Sequence, residues 1–227
     1  MVSYGKWYYK VRYREMSQIR WFDCCIYENR LIRERGNEVE PAEVEQLVRA
    51  VKAGNRKQYG PLVQQYQQRI YRYCFHMLGQ LQEAEDVTQD VFVKGLERLG
   101  QYRENTSYEA WLYRIAYHEC LNKLKRMQTY SRLLRIFSRT VPVMHIDQAA
   151  GGVEYNAELC EALLRLRPVD RHIILQRIVE ERPFEEIAQQ LDMSYAAVRK
   201  RYERAKNQLK RDLIQKEEAA DERRFSY

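Results

Sequence analysis

The chain has 227 residues, 45% hydrophobic and 31% charged, with a net charge of +7 and a pI of about 9.1. No run approaches the ~18 consecutive apolar residues of a membrane span, and no apolar segment with a cleavage site follows the N-terminal charges, so neither a membrane-spanning nor a secreted protein is indicated. A basic balance favours nucleic acid or another anionic partner.

Glycine (9) and proline (5) are scarce, and helix formers dominate the periodic regions, which indicates an all-α fold. The five cysteines form no C-x-x-C pair and read as reduced thiols in the cytoplasm.

Residues 1–38 are rich in aromatics and arginine but lack sustained periodicity. Two readings compete for them. One is an extension that is ordered or touches nucleic acid. The other, favoured here, is a translation start placed too early, with Val39 as a candidate first residue.

From Pro41 the pattern becomes regular. Pro41 opens a helix that Gly54 closes, and a second follows Pro61 and ends at Gly79. A third runs from about Gln82 to Leu99, ahead of Gly100. After the polar "QYRENTS", a long helix starts near Ser107 and runs to about Met127. A looser stretch follows, with Pro142 and Gly151-Gly152 marking a linker. A second helical block spans about Glu154 to Lys216, broken near Pro168 and near Arg182-Pro183. A charged tail ends the chain. The expected divisions are 1–38 as an extension, 39–127 as a first helical domain, 128–153 as a flexible linker, 154–216 as a second domain and 217–227 as the tail.

In the third helix, Ala84, Val87, Val91, Leu96 and Leu99 form one apolar face. Glu83, Asp86 and Asp90 line another, with Gln89 beside them. On a basic protein this stripe fits a basic protein partner. Acids near a helix N-terminus also suit its dipole, and the spacing alone does not separate the two readings.

The next segment crowds Tyr102, Tyr108, Trp111, Tyr113 and Tyr117 around Arg103, Arg114, Lys123, Lys125 and Arg126. Aromatic surfaces for stacking and cations for the backbone suit single-stranded or melting DNA. Arg114, His118 and Lys125 share one helix face near Trp111. The competing reading places Trp111 and several tyrosines in the core.

In "FEEIAQQLDMSYAAVRKRYERAKNQLKR", Ile187, Ala188 and Leu191 form a short apolar face. Val198, Tyr202, Ala205 and Leu209 form another. Asp192 stands where a tight turn needs positive φ, and Ser194 is a good N-cap. Seven Lys or Arg residues and one Glu lie between Tyr195 and Arg211. The pattern is a helix-turn-helix whose second helix enters the major groove, presenting Ala196, Arg199, Lys200 and Glu203. Arg pairs with guanine, and the other cations neutralise phosphate. A solvated basic face is the bland alternative.

"AEDVTQDVF…WLYRIAYHECLNKLKR" and "LRPVDRHIILQRIVEERPFEEIAQQLDMSYAAVRKRYERAKNQLKRDL", in this order, resemble regions 2 and 4 of bacterial RNA polymerase sigma factors of the extracytoplasmic-function (ECF) type. The resemblance covers roughly residues 41 to 215. It implies two small helical domains on a flexible linker and a sigma factor that directs core polymerase to promoters and assists melting. Asp86, Gln89 and Asp90 match the part that grips the clamp helices of the largest subunit. Tyr102, Arg103, Asn105, Trp111, Arg114, His118 and Lys125 fall in the element that recognises and melts the −10 region. Ser194, Tyr195, Ala196, Arg199, Lys200, Glu203 and Arg204 match the −35 reader. An anti-sigma factor is an implied partner.

The chain departs from the family where relatives often have Asn in place of His118 and Gly-Thr in place of Ala196-Ala197. No catalytic motif is found, no cofactor or small-molecule substrate is expected, and the scattered His and Cys residues lack metal-site spacing. A helix-turn-helix regulator that never joins polymerase is the alternative. It leaves the acidic stripe unexplained.

Overall fold

Pro41 supplies a fixed φ at the first turn of α1 (Pro41–Lys52), whose buried face is Val44, Val48 and Val51 at helical spacing. The computed structural model describes residues 40–104, 106–137 and 157–225. A single 3-10 turn, Arg56–Gln58, leads into α2 (Tyr59–Leu78). This helix starts two residues before Pro61, which its first turn accommodates because the proline's missing N–H has no helical acceptor there. Gly79 ends it at φ 75°, its N–H bonded to the carbonyl of Phe75. The positive φ favours glycine at this position, and a Cβ here would also make the Leu164 side chain move aside. Next come α3 (Leu81–Glu97) and a 3-10 turn, Leu99–Gln101. Helix α4 follows (Tyr108–Phe137), capped by Ser107, whose hydroxyl accepts the Ala110 N–H at 3.1 Å.

Helices α2, α3 and α4 pack into a bundle with α1 against α2. Its core holds Leu62, Ile70, Phe75, Val87, Val91 and Leu112. Leu99 is buried and Leu96 half-buried. Helix α4 continues ten residues past the expected end at Met127. No glycine or proline occurs between Gly100 and Pro142, so nothing local breaks it. That turns the first part of the expected linker, 128–137, into helix. The remainder of the expected linker, like residues 1–38, lies outside the described residues.

The second group comprises α5 (Ala157–Arg165), α6 (Pro168–Ile174), a π-helical turn (Leu175–Val179), α7 (Phe184–Leu191) and α8 (Tyr195–Phe225). Helix α8 packs on α5, α6 and α7 around Ile173, Ile187, Ala188 and Val198. Its backbone is helical past Lys216 and through most of the expected tail. The stretch "EEAADERRF" holds strong helix formers and no breaker.

The two groups also pack on each other, α2 against α5 and α6, and α4 against α7. Arg171 on α6 is buried and reaches across. Its guanidinium donates to the carbonyls of Leu163, Leu164 and Leu166 at the end of α5, and to that of Met77 near the end of α2. His172 is completely buried beside it. Its Nδ1 lies 2.6 Å from the Tyr73 hydroxyl on α2, and its ring sits 4.4 Å from that of Tyr117 on α4.

Burial pushes the His172 pKa down to about 3. The folded state therefore holds this ring neutral, while the unfolded chain takes up a proton below about pH 6.5. The contribution is intact above that pH and is lost as pH falls toward 3. At pH 5 the loss from this one group amounts to about 2 kcal/mol. Denaturant titrations at pH 7 and pH 5 should show a smaller acid-induced loss in His172→Asn than in the wild type.

Candidate functional site

Three surfaces carry the residues singled out in the sequence. On α3, Asp86, Gln89 and Asp90 are exposed, opposite the buried Ala84, Val87 and Val91. Glu83 is not part of the open stripe, because Lys123 of α4 pairs with it. The same ammonium lies 3.9 Å from Asp86, which remains 61% exposed. Val93 is 57% exposed, seven residues beyond Asp86 and three beyond Asp90. Helical spacing puts this apolar side chain on the acidic face, a signal present in the sequence but overlooked there.

The second surface surrounds the start of α4. Tyr102 is only 2% exposed, which rules it out as a stacking platform in this conformation. Its ring packs on those of Tyr108 and Trp111 at 5.8 and 5.5 Å, and its hydroxyl shares its one proton between Glu45 and the Thr106 carbonyl. Burial, then Glu45, hold the phenol protonated well above its ordinary range. Lys52 sits 5.1 Å above the ring and donates to the Tyr102 carbonyl at 2.7 Å. Arg49 makes a two-pronged pair with Glu104, which lowers the pKa of that carboxyl. Tyr102 and α1 thus brace the loop that carries Arg103. Neither Lys52 nor Arg49 was found from sequence, since each reaches a residue some 50 positions away.

Arg103, Arg114, His118 and Lys125 are exposed, the last three along one face of α4. Trp111 is half-buried beside them, so its edge serves core and surface together. Tyr108, Tyr113 and Tyr117 are buried. Asn105 lies outside the described residues.

The third surface is the helix-turn-helix. Asp192 adopts φ 52°, ψ 43°, the left-handed conformation that ends α7. The Ser194 hydroxyl accepts the Ala197 N–H at 3.3 Å and caps α8. Val198, Ala205 and Leu209 face inward. Phe184 of α7 meets the Tyr202 ring at 5.1 Å. Tyr195, Ala196, Arg199, Lys200, Glu203 and Arg204 are exposed and, with Asn207, line a shallow depression of about 480 Å³. Arg201 turns the other way and bonds Asp170 of α6 at 2.9 Å. Among the described residues, no three His, Cys, Asp or Glu side chains gather as they would around a metal ion.

Comparison with known proteins places these surfaces in a family. The Sigma-70 region 2 model matches residues 62–129, and the Sigma-70, region 4 model matches residues 157–209. The chain is 30% identical over 160 residues to the RNA polymerase sigma factor YlaC of Bacillus subtilis, spanning 69% of this chain and 92% of that one. It is 24% identical over 180 residues to the ECF RNA polymerase sigma factor SigW of the same species, spanning 75% and 96%. The fold is shared with the sigma factor RpoE of Bartonella quintana, solved in complex with the anti-sigma factor NepR, at a TM-score of 0.58 and 18% identity over 70% of this chain and 98% of that one. It is also shared with CnrH, solved with the cytosolic domain of CnrY, at a TM-score of 0.54 and 21% identity over 74% and 95%.

Two stability measurements check the site's construction. Tyr102→Ala should cost about 3–5 kcal/mol as a large core truncation, whereas Arg103→Ala next to it should cost under about 0.5. Ser194→Ala should cost about 1 kcal/mol through loss of the cap.

Proposed function

The chain belongs to the extracytoplasmic-function group of the sigma-70 family, and from that premise we propose how its surfaces divide the work. It is a sigma factor, directing bacterial core RNA polymerase to promoters and assisting DNA opening. We assign polymerase docking to Asp86, Gln89 and Asp90, with Val93 supplying an apolar centre to the charged contact. The exposure of all four on one face of α3 supports this assignment. A basic helical partner such as the clamp helices of the largest polymerase subunit fits such a stripe.

The helix-turn-helix is assigned to the −35 duplex, with Arg199, Lys200, Glu203 and Arg204 along the groove and Tyr195 and Ala196 at the entry. Small Ala196 allows α8 to lie close to the bases. Arg103, Trp111, Arg114, His118 and Lys125 are assigned to the −10 strand, where cations hold the backbone and the Trp111 edge meets an unstacked base. Asn105 retains its expected place in that loop. Tyr102 takes a positioning role in place of stacking. Unpairing bases costs a few kcal/mol each, which these contacts and the polymerase must offset. The protein makes no bonds itself; the polymerase does. It acts where that enzyme is, in the cytoplasm, and an anti-sigma factor is the partner expected to restrain it.

The observation that carries this reading is the coexistence of a capped, basic helix-turn-helix with a separate open acidic stripe on one basic chain. A regulator that never joins polymerase has no use for the stripe. Reconstitution with core polymerase tests it, comparing the wild type with a folded Asp86→Ala/Gln89→Ala/Asp90→Ala variant. The variant should bind core about 100-fold more weakly or worse and lose promoter-dependent transcripts. A variant that assembles normally refutes the docking face. A wild type that binds promoter DNA but never core refutes the sigma mechanism.

A further inference from the structure

Between Tyr195 and Arg211, helix α8 carries one acid among seven cations. That acid, Glu203, does nothing for the fold. It is exposed, and its carboxylate is left out of the ion pairs that the described residues form. Its near neighbour Arg201 pairs with Asp170 of α6 at 2.9 Å instead. Tyr202 and Ala205, on either side, pack inward.

Glu203 lines the shallow depression on the outer face of α8, together with Arg199, Lys200 and Arg204. Arg199 lies four residues before it and Lys200 three, so all share one side of the helix. Exposed pairs at this spacing steady a helix only slightly. Helix stability therefore does not account for the acid. From Ala196 to Glu203 the strip is about 10 Å long, shorter than the major groove is wide at about 12 Å. Glu203 thus belongs to the part of α8 that reaches base edges.

On DNA a carboxylate has few partners. Phosphates repel it, so it lowers affinity for every duplex alike unless a base rewards it. It is an acceptor only and needs a donor. The major groove offers two kinds of donor, the N4 amino group of cytosine and the N6 amino group of adenine. Adenine sets the acceptor N7 beside its donor, against the second carboxylate oxygen. Cytosine presents its donor with no acceptor of its own next to it.

We propose that Glu203 is a specificity-determining residue of the −35 reader, demanding a cytosine at one position by accepting a hydrogen bond from its N4 amino group. Its charge works in both directions. It rewards the right base, and it weakens the hold of the surrounding cations on duplexes that lack that base. The inference rests on the assignment of the helix-turn-helix to the −35 duplex and adds which base one of its residues selects.

The test uses the full-length chain assembled with core polymerase and a pool of randomised duplex DNA. Bound duplexes are recovered and sequenced for the wild type, Glu203→Gln and Glu203→Asp. The substitutions fall at an exposed position that supports no packing. The wild type should recover an upstream element in which one cytosine is favoured about tenfold over other bases. Glu203→Gln should recover the same element with that position turned toward adenine, which an amide pairs through N6 and N7. It should also bind a duplex of unrelated sequence about threefold more tightly, since a repelled charge is gone. Glu203→Asp keeps the charge and withdraws the carboxylate by one methylene. It should relax the same position while binding the unrelated duplex as the wild type does, a split that bulk charge alone would not produce. A Glu203→Gln chain that keeps every cytosine preference of the wild type overturns the proposal and leaves the −35 assignment standing. A wild type that joins core polymerase yet recovers no common upstream element refutes the −35 assignment, and the proposal with it.

Discussion

Arg171 is the point on which the arrangement of the two helical groups depends. The last carbonyls of a helix have no partners of their own. Here one guanidinium gathers those of Leu163, Leu164 and Leu166 together with that of Met77, and it does so out of reach of water. Burial lowers its pKa to about 10, which still leaves it charged at neutral pH. Charge-assisted bonds to helix ends complement the dipoles of α2 and α5 as well as filling their acceptors. The close pass of Gly79 under Leu164 follows from the same junction. With α2 and α5 joined end to end, α6 is fixed over α2, and the π-helical turn comes down beside Arg69.

Outside that junction, the helix-turn-helix has an apolar cluster of its own. Ile173, Ile187, Ala188 and Val198 hold the helix-turn-helix together without help from the bundle. The bundle's aromatic packing around Tyr102, Tyr108 and Trp111 likewise needs nothing from α7 or α8. Between them, beside the apolar packing of α5 on α2, lie polar contacts: the Glu180–Arg69–Glu109–Arg182–Glu186 chain and the Tyr73–His172–Tyr117 stack.

Local signals carried well from sequence to structure. The helix-turn-helix was legible because its devices are short-range: a left-handed residue at Asp192, a cap at Ser194, an apolar repeat from Val198. The helix starts at Pro41 and Ser107 and the stop at Gly79 were legible for the same reason. Long-range placement was not. Tyr102 looks in sequence like one more surface aromatic beside arginines, and only the folding of α1 over it makes it core. Glu83 belongs to the acidic stripe by spacing, yet Lys123, forty residues on, neutralises it. No periodicity brings Glu180 to Arg69 across 111 residues. The run of α4 past Met127 is not legible because the apolar repeat loosens there, ahead of a linker marked by Pro142 and Gly151-Gly152, and that of α8 past Lys216 because the tail is charged and carries no apolar repeat.

The acidic stripe on α3 lies outside the contact between the two groups, as does the outer face of α8. Both faces are therefore open to solvent at the same time, and neither has to be uncovered before it can meet what it binds.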